Sequence, residues 1–102
     1  MDNNFHLTED NNKAFIKGAL NRNDPTELLV GELRSQEKGK GCGTRLLRAL
    51  EKIAKSRGAN KVRAVLGQFE DTDVDALRRF YQQNGYVLND VEDMVVASKE
   101  NI

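Results

Sequence analysis

The chain has one cysteine, one histidine and one proline, and its charges cancel. A single cysteine cannot close a disulfide within the chain, which fits a reducing compartment. A single histidine, His6, argues against a histidine-based metal site or triad, so no metal is expected. Sixteen basic residues against sixteen acidic ones leave no basic excess, which argues against a dedicated nucleic-acid binder. No stretch is long and apolar enough for a membrane span, and the N-terminus does not read as a signal peptide. The expectation is a cytoplasmic protein with no membrane or nucleic-acid partner. At 102 residues it is expected to form one domain, 1–102, with a small core.

What is present is patterned. Phe5 and Leu7 alternate with polar neighbours and predict a short strand. Asn11-Asn12 predicts a turn, and Lys13–Leu20 a second strand with Ala14, Ile16 and Gly18 on one face. Asn21-Arg22-Asn23-Asp24-Pro25 predicts a turn that ends on the only proline. Glu27–Arg34 predicts a third strand. Its Leu28-Leu29-Val30 run predicts burial on both faces, and Gly31 a bulge or splay. Thr44–Arg57 predicts a helix with Leu46, Leu47, Leu50, Ile53 and Ala54 on one stripe and Gly58 as its C-cap. Lys61–Gly67 predicts a buried strand built on Val62, Ala64, Val65 and Leu66. Thr72-x-x-Asp75 is close to a capping box, opening a helix to about Asn84 with Leu77, Phe80 and Tyr81 facing inward. Tyr86–Leu88 and Met94–Ala97 predict a hairpin around Asn89–Asp93.

Between the third strand and the first helix lies Lys38-Gly39-Lys40-Gly41-Cys42-Gly43-Thr44. Glycines let the backbone reach φ values closed to other residues and approach a ligand closely. A helix starting directly after such a loop offers unpaired N–H groups and the positive end of its dipole. Together these make an anion site, most naturally for a phosphate or pyrophosphate. Two common loops fail on spacing. No Gly-Lys-Ser/Thr occurs, which excludes a nucleotide P-loop. A GxGxxG reading puts Thr44 or Leu46 where the third glycine belongs.

The segment resembles the pyrophosphate loop of the GNAT superfamily, the acyl-CoA-dependent N-acyltransferases. That signature is Q/R-x-x-G-x-G/A, with Lys38, Gly41 and Gly43 in the marked places, Lys replacing Arg and Cys42 replacing an apolar residue. Phe80-Tyr81-Gln82-Gln83-Asn84-Gly85-Tyr86 resembles the family's later motif, [LF]-Y-x-x-x-G-[FY]. The resemblance covers about residues 27 to 97. It implies an α/β fold of the α+β type, a central, mostly antiparallel mixed sheet with two main helices. It also implies acetyl-CoA as co-substrate. The family usually places two helices between its first two strands, and this chain has no room for them. A trimmed acceptor side would leave a face open, which suits an amine on a protein better than a small molecule.

The resemblance assigns the cofactor to the backbone of Lys38, Gly39, Lys40, Gly41, Cys42, Gly43 and Thr44, and to the strand before it, through Leu33. It matches Tyr81 to the tyrosine that protonates the departing thiolate. A phenol is protonated at neutral pH and can donate to a thiolate of lower pKa. Tyr81 as a plain core aromatic is the competing reading. Glu27 and Glu32, on the strand nearest the thioester, are the candidate bases, and either could instead face solvent. The family's asparagine before the last helix is absent, with Val74 near its place. A non-catalytic acyl-CoA sensor and a phage-type host-interaction protein are the alternative functions. A small core and the apolar Val95 and Val96 of the hairpin invite a homodimer.

Overall fold

Residues 4–9, 13–35, 41–66 and 73–102 are described by a computed structural model. Strands β1 (Asn4–Glu9), β2 (Ala14–Asn21) and β3 (Asp24–Ser35) come first. Helix α1 (Cys42–Ser56), strand β4 (Lys61–Leu66) and helix α2 (Val74–Gln83) follow. The hairpin β5 (Val87–Val91) and β6 (Met94–Glu100) ends the chain. One six-stranded sheet runs in the order β1-β2-β3-β4-β6-β5. Among the described residues the parallel pair is β3 with β4, joined by the α1 crossover. Among the described residues no helix precedes Cys42, as the length of the N-terminal segment predicts.

The sequence pattern explains where the core sits. In β2, Ala14, Ile16 and Leu20 alternate with more exposed residues, and Ile16 pairs with Leu33 of β3. The register then shifts between Lys17 and Gly18, so that Lys17 opposes Glu32 while Gly18 opposes Val30. Gly31 is the extra residue, and the predicted bulge is found there. Gly18 must be glycine: a Cβ would lie 2.8 Å from the Leu29 carbonyl oxygen and 3.2 Å from Leu50 of α1. Leu46, Leu47 and Leu50 bring the apolar stripe of α1 onto this face. Each fully buried leucine contributes about 1.5–3 kcal/mol.

Both helices cover the same face of the sheet. Tyr86, just after α2, donates to Glu51 of α1, and Phe80 of α2 packs where a Gly43 Cβ would stand. Every buried strand residue points to the helices. On the opposite face Phe15, Leu29, Val65 and Val96 are half-buried, and Val87, Val91 and Met94 are exposed. The expected two-sided burial of Leu28-Leu29-Val30 is therefore corrected. Leu28 and Val30 are core, while Leu29 lies on the helix-free face.

Other expectations shift locally. The turn after β2 is only Arg22-Asn23, and Pro25 stands inside β3, in the stretch where pairing with β2 is irregular and a lost N–H costs little. Asp73, not Thr72, caps α2, its carboxylate accepting from the Ala76 N–H at 3.1 Å. The last hairpin turns at Glu92-Asp93. Val95 is buried beneath the helices and Val96 is half-buried, so neither is the free apolar surface expected for a dimer contact. The Asn11-Asn12 turn, Thr72, Gly67, Lys38, Gly39 and Lys40 lie outside the described residues.

Candidate active site

The site starts at α1. Gly41 precedes the helix with φ 77°, in the left-handed region, and no side chain caps the helix start. The first helical bond is Arg45 N–H to Gly41 C=O at 3.0 Å. The N–H groups of Cys42, Gly43 and Thr44 therefore have no partner within the helix. These donors, with the helix dipole behind them, form an anion-binding end. A Cβ on Gly43 would approach the Phe80 ring to 3.2 Å, so the missing side chain lets α2 close directly onto the start of α1.

The ring of contacts around that end is tied down. Cys42 is buried, and its sulfur accepts from the Arg45 guanidinium at 3.2 Å. That guanidinium also pairs with Glu9 at the end of β1, with Nε 2.7 Å from the carboxylate. The hydrogen bond from Arg45 holds the Glu9 carboxyl below its usual range. Thr44 is exposed.

Beside the anion end, β3 and β4 part. Their parallel pairing spans Glu27 to Val30 against Lys61 to Ala64 and stops there. From Gly31 onward β3 pairs, among the described residues, with β2 alone. Past this parting Leu33 turns its side chain to the core, and the β4 side of β3 meets no described strand.

Tyr81 is buried at 2% exposure in the last turns of α2. Its ring stands edge-on to Phe80 at 5.2 Å and to Tyr86 at 5.1 Å. Among the described residues the Tyr81 hydroxyl makes no hydrogen bond. Burial first, and the Glu51 charge second, keep that phenol protonated well beyond the usual range. Glu51 itself is a buried carboxylate between the helices. It accepts from the Tyr86 hydroxyl at 2.5 Å and has the Lys99 ammonium 3.6 Å away. Sequence reasoning passed over Glu51, although it falls among Leu47, Leu50 and Ala54 on the buried side of α1.

The two candidate bases lie on the helix-free face. Glu27 sits where β3 and β4 still pair, accepting from Asn21 at 3.0 Å and facing Arg63 at 3.1 Å. Glu32 stands past the bulge, in the parted stretch, paired with Arg34 at 2.7 Å. Phe80 beside Gly43 sets α2 against the start of α1, with the buried Tyr81 next along α2, while Glu32 and Glu27 stand on the other face of the sheet.

Residues 7–86 match the model of the acetyltransferase (GNAT) family. The chain belongs to that family. Among solved structures, the GNAT fold here is similar to the PaiA N-acetyltransferase of Thermoplasma acidophilum in complex with coenzyme A. The TM-score is 0.80 at 21% identity, covering 98% of this chain and 62% of that one. It is also similar to an aminoglycoside 6′-N-acetyltransferase complexed with coenzyme A, with TM-score 0.78, 19% identity and coverage of 98% and 74%. The anti-CRISPR protein AcrVA5 matches with TM-score 0.74 at 16% identity, over 95% of this chain and 98% of its own. No curated protein sequence matches. The chain thus spans under two thirds of the length of the Thermoplasma enzyme and is a compact GNAT variant, with no helix between β1 and β2 among the described residues. Among the described residues no group of three or more His, Cys, Asp or Glu is placed to hold a metal, and no helix is long and apolar enough to cross a membrane.

Proposed function

We propose that this chain is an acetyl-CoA-dependent N-acetyltransferase that modifies an amine of a protein, a lysine side chain or a terminus. The observation that carries this reading is an uncapped helix start with α2 packed onto it through Phe80 at Gly43, and the buried Tyr81 next along α2. The residues fit the cofactor. Gly41 supplies the left-handed turn, Gly43 the close packing, and the N–H groups of Cys42 to Thr44 the donors for a pyrophosphate. Lys38 and Lys40 add positive charge in sequence beside them. Bound acetyl-CoA would supply the acyl group as an activated thioester.

The protein contributes the proton handling. The departing thiolate needs a proton, and Tyr81 is a neutral donor whose surroundings oppose its ionisation. The incoming amine must lose one, and Glu32 or Glu27 can take it, directly or through water. Both carboxylates lie on the face that no helix covers. A face that no described helix covers admits a folded partner where a walled pocket would admit only a small molecule.

The test is thiol release from acetyl-CoA with protein acceptors, followed by mass spectrometry of the acceptors. Gly41→Asp should abolish coenzyme A binding in calorimetry, because it adds a charge and a Cβ at positive φ. Equal affinity in wild type and variant would remove the cofactor from this loop. Tyr81→Phe keeps the ring and should lower turnover at least about tenfold with coenzyme A affinity and melting temperature held. Unchanged turnover returns Tyr81 to the core. Glu27→Gln and Glu32→Gln, compared side by side, separate the two bases. Tight cofactor binding with no thiol release on any acceptor would leave the sensor reading in its place.

A further inference from the structure

The helix-free face of the sheet carries a hollow of about 490 Å³ over β1, β2 and β3. The strand register places it. Asn4 opposes Ala19, and Ala19 opposes Leu29, so all three share the face on which Leu29 lies. Two residues along, His6 opposes Lys17, and Lys17 opposes Glu32, on that same face. Ala19 and Gly31 line the hollow with almost no side chain, Leu29 adds an apolar wall, and Asn4, His6 and Lys17 supply its polar groups. A Cβ at Gly31 would meet only the Lys17 carbonyl oxygen, at 3.6 Å, so the bulge itself leaves this space open.

Charge inside the hollow is one-sided. Among the described residues no acidic side chain lines it. Lys17 stands directly across from Glu32, a placement in which opposite charges ordinarily pair. Glu32 instead takes the Arg34 guanidinium at 2.7 Å. The exposed Lys17 ammonium lies over the Phe15 ring, 5.4 Å from its centre, and forms no ion pair with any described residue. His6 is exposed beside it, its ring edge-on to the same Phe15 at 5.7 Å. Along β3 the two candidate bases bracket the hollow: Glu27 lies two residues before Leu29, and Glu32 follows Gly31 directly.

Resting on the acetyl-transfer reading above, we propose that this hollow seats an Asp or Glu side chain of the acceptor protein, one or two residues from the amine that is acetylated. Lys17 donates to the carboxylate, Ala19 and Leu29 take its methylenes, and the amine lies at Glu32. The row of Lys17 and Glu32 and the row of Ala19 and Leu29 are two strand residues apart, about 6.5 Å. Neighbouring or next-neighbouring side chains of an extended peptide span that distance. The acceptor's amine and acid thus meet an acid and an amine in matching order. A polycation such as an aminoglycoside would set like charge against Lys17, and a polyanion such as a nucleic acid would set it against Glu27 and Glu32. The occupant that satisfies both signs is a segment with one amine and one carboxylate.

Short peptides carrying one acceptor lysine, with Asp, Ala or Lys one or two residues to either side, test this in two ways. With acetyl-CoA present, Asp peptides should be acetylated with kcat/KM about tenfold above Lys peptides, the size expected of one charge-assisted hydrogen bond. The preference should shrink as salt is raised. It should vanish in Lys17→Gln, reverse in Lys17→Glu and persist in Lys17→Arg. Ala19→Leu fills the hollow and should weaken the preference with Lys17 in place and the melting temperature unchanged. Without acetyl-CoA no transfer can occur, and Asp peptides should still shift the amide resonances of Lys17, Ala19 and Gly31 in the wild type but not in Lys17→Glu. Acetylation of Asp and Lys peptides at equal rates overturns the proposal and leaves the acetyltransferase reading standing. An aminoglycoside acetylated faster than any Asp peptide overturns it as well. So does the absence of resonance shifts with every peptide, whatever the turnover. Shifts at Lys17, Ala19 and Gly31 with no peptide or protein acetylated would uphold the carboxylate site and remove the transfer reading instead.

Discussion

Tyr86 and Glu51 show how much one buried hydroxyl can govern. The Glu51 carboxylate is 7% exposed, and its close donor is Tyr86 at 2.5 Å, with Lys99 farther off at 3.6 Å. Removing the hydroxyl in Tyr86→Phe leaves a buried carboxylate under-satisfied, at a cost of about 1–3 kcal/mol. The same groups set an alkaline limit. Burial first, then Glu51, keeps Tyr86 and Tyr81 protonated in the folded chain well above their ordinary range. In the unfolded chain they ionise near pH ~10. Above that value the unfolded state binds fewer protons than the folded one, so stability falls as pH rises. Thermal melts should show a steep loss beginning near pH ~10 in the wild type and a shallower one in Tyr86→Phe. Parallel profiles would show that Tyr86 is not one of the groups responsible. Contacts of this kind were hidden from sequence reading. Glu51 lies 35 residues from Tyr86, and Glu9 lies 36 from Arg45, so no local pattern joins either pair.

At the scale of single elements, α1 was fully legible. Its apolar stripe repeats with helical period, and Cys42–Ser56 differs from the expected Thr44–Arg57 by two residues at the start and one at the end. The start of α2 was less so, because Thr72 and Asp73 are both good caps and only the backbone decides between them. With Asp73 as the cap, Asp73→Ala should lower unfolding stability by about 1 kcal/mol, and Asp73→Asn by much less. Chemical unfolding midpoints measure this. Turnover should hold in both, since Tyr81 lies at the other end of α2, fastened by Asn84 and Tyr86. Equal midpoints for wild type and Asp73→Ala would mean that the cap is idle. β3 misled for a different reason. Leu28-Leu29-Val30 looks doubly buried because a hydrophobic run cannot report that one face of its sheet carries no described helix.

For the molecule as a whole, the glycine loop and the Tyr81 motif sufficed to place the family. The parting of β3 from β4 after Val30 has a consequence that can be read atom by atom. A strand directs its amides alternately to its two neighbours, and among the described residues no strand but β2 pairs with β3 past Gly31. Hydrogen–deuterium exchange should then be two-toned between Gly31 and Ser35. In the cofactor-free chain, amides turned to β2 should exchange slowly and those turned to the gap quickly. Adding coenzyme A should slow the fast set and leave the slow set as it was. A strand that exchanges uniformly with or without coenzyme A would mean that the gap heals in solution. A strand whose quick amides are silenced by the cofactor is half of a sheet, kept open for the molecule that completes it.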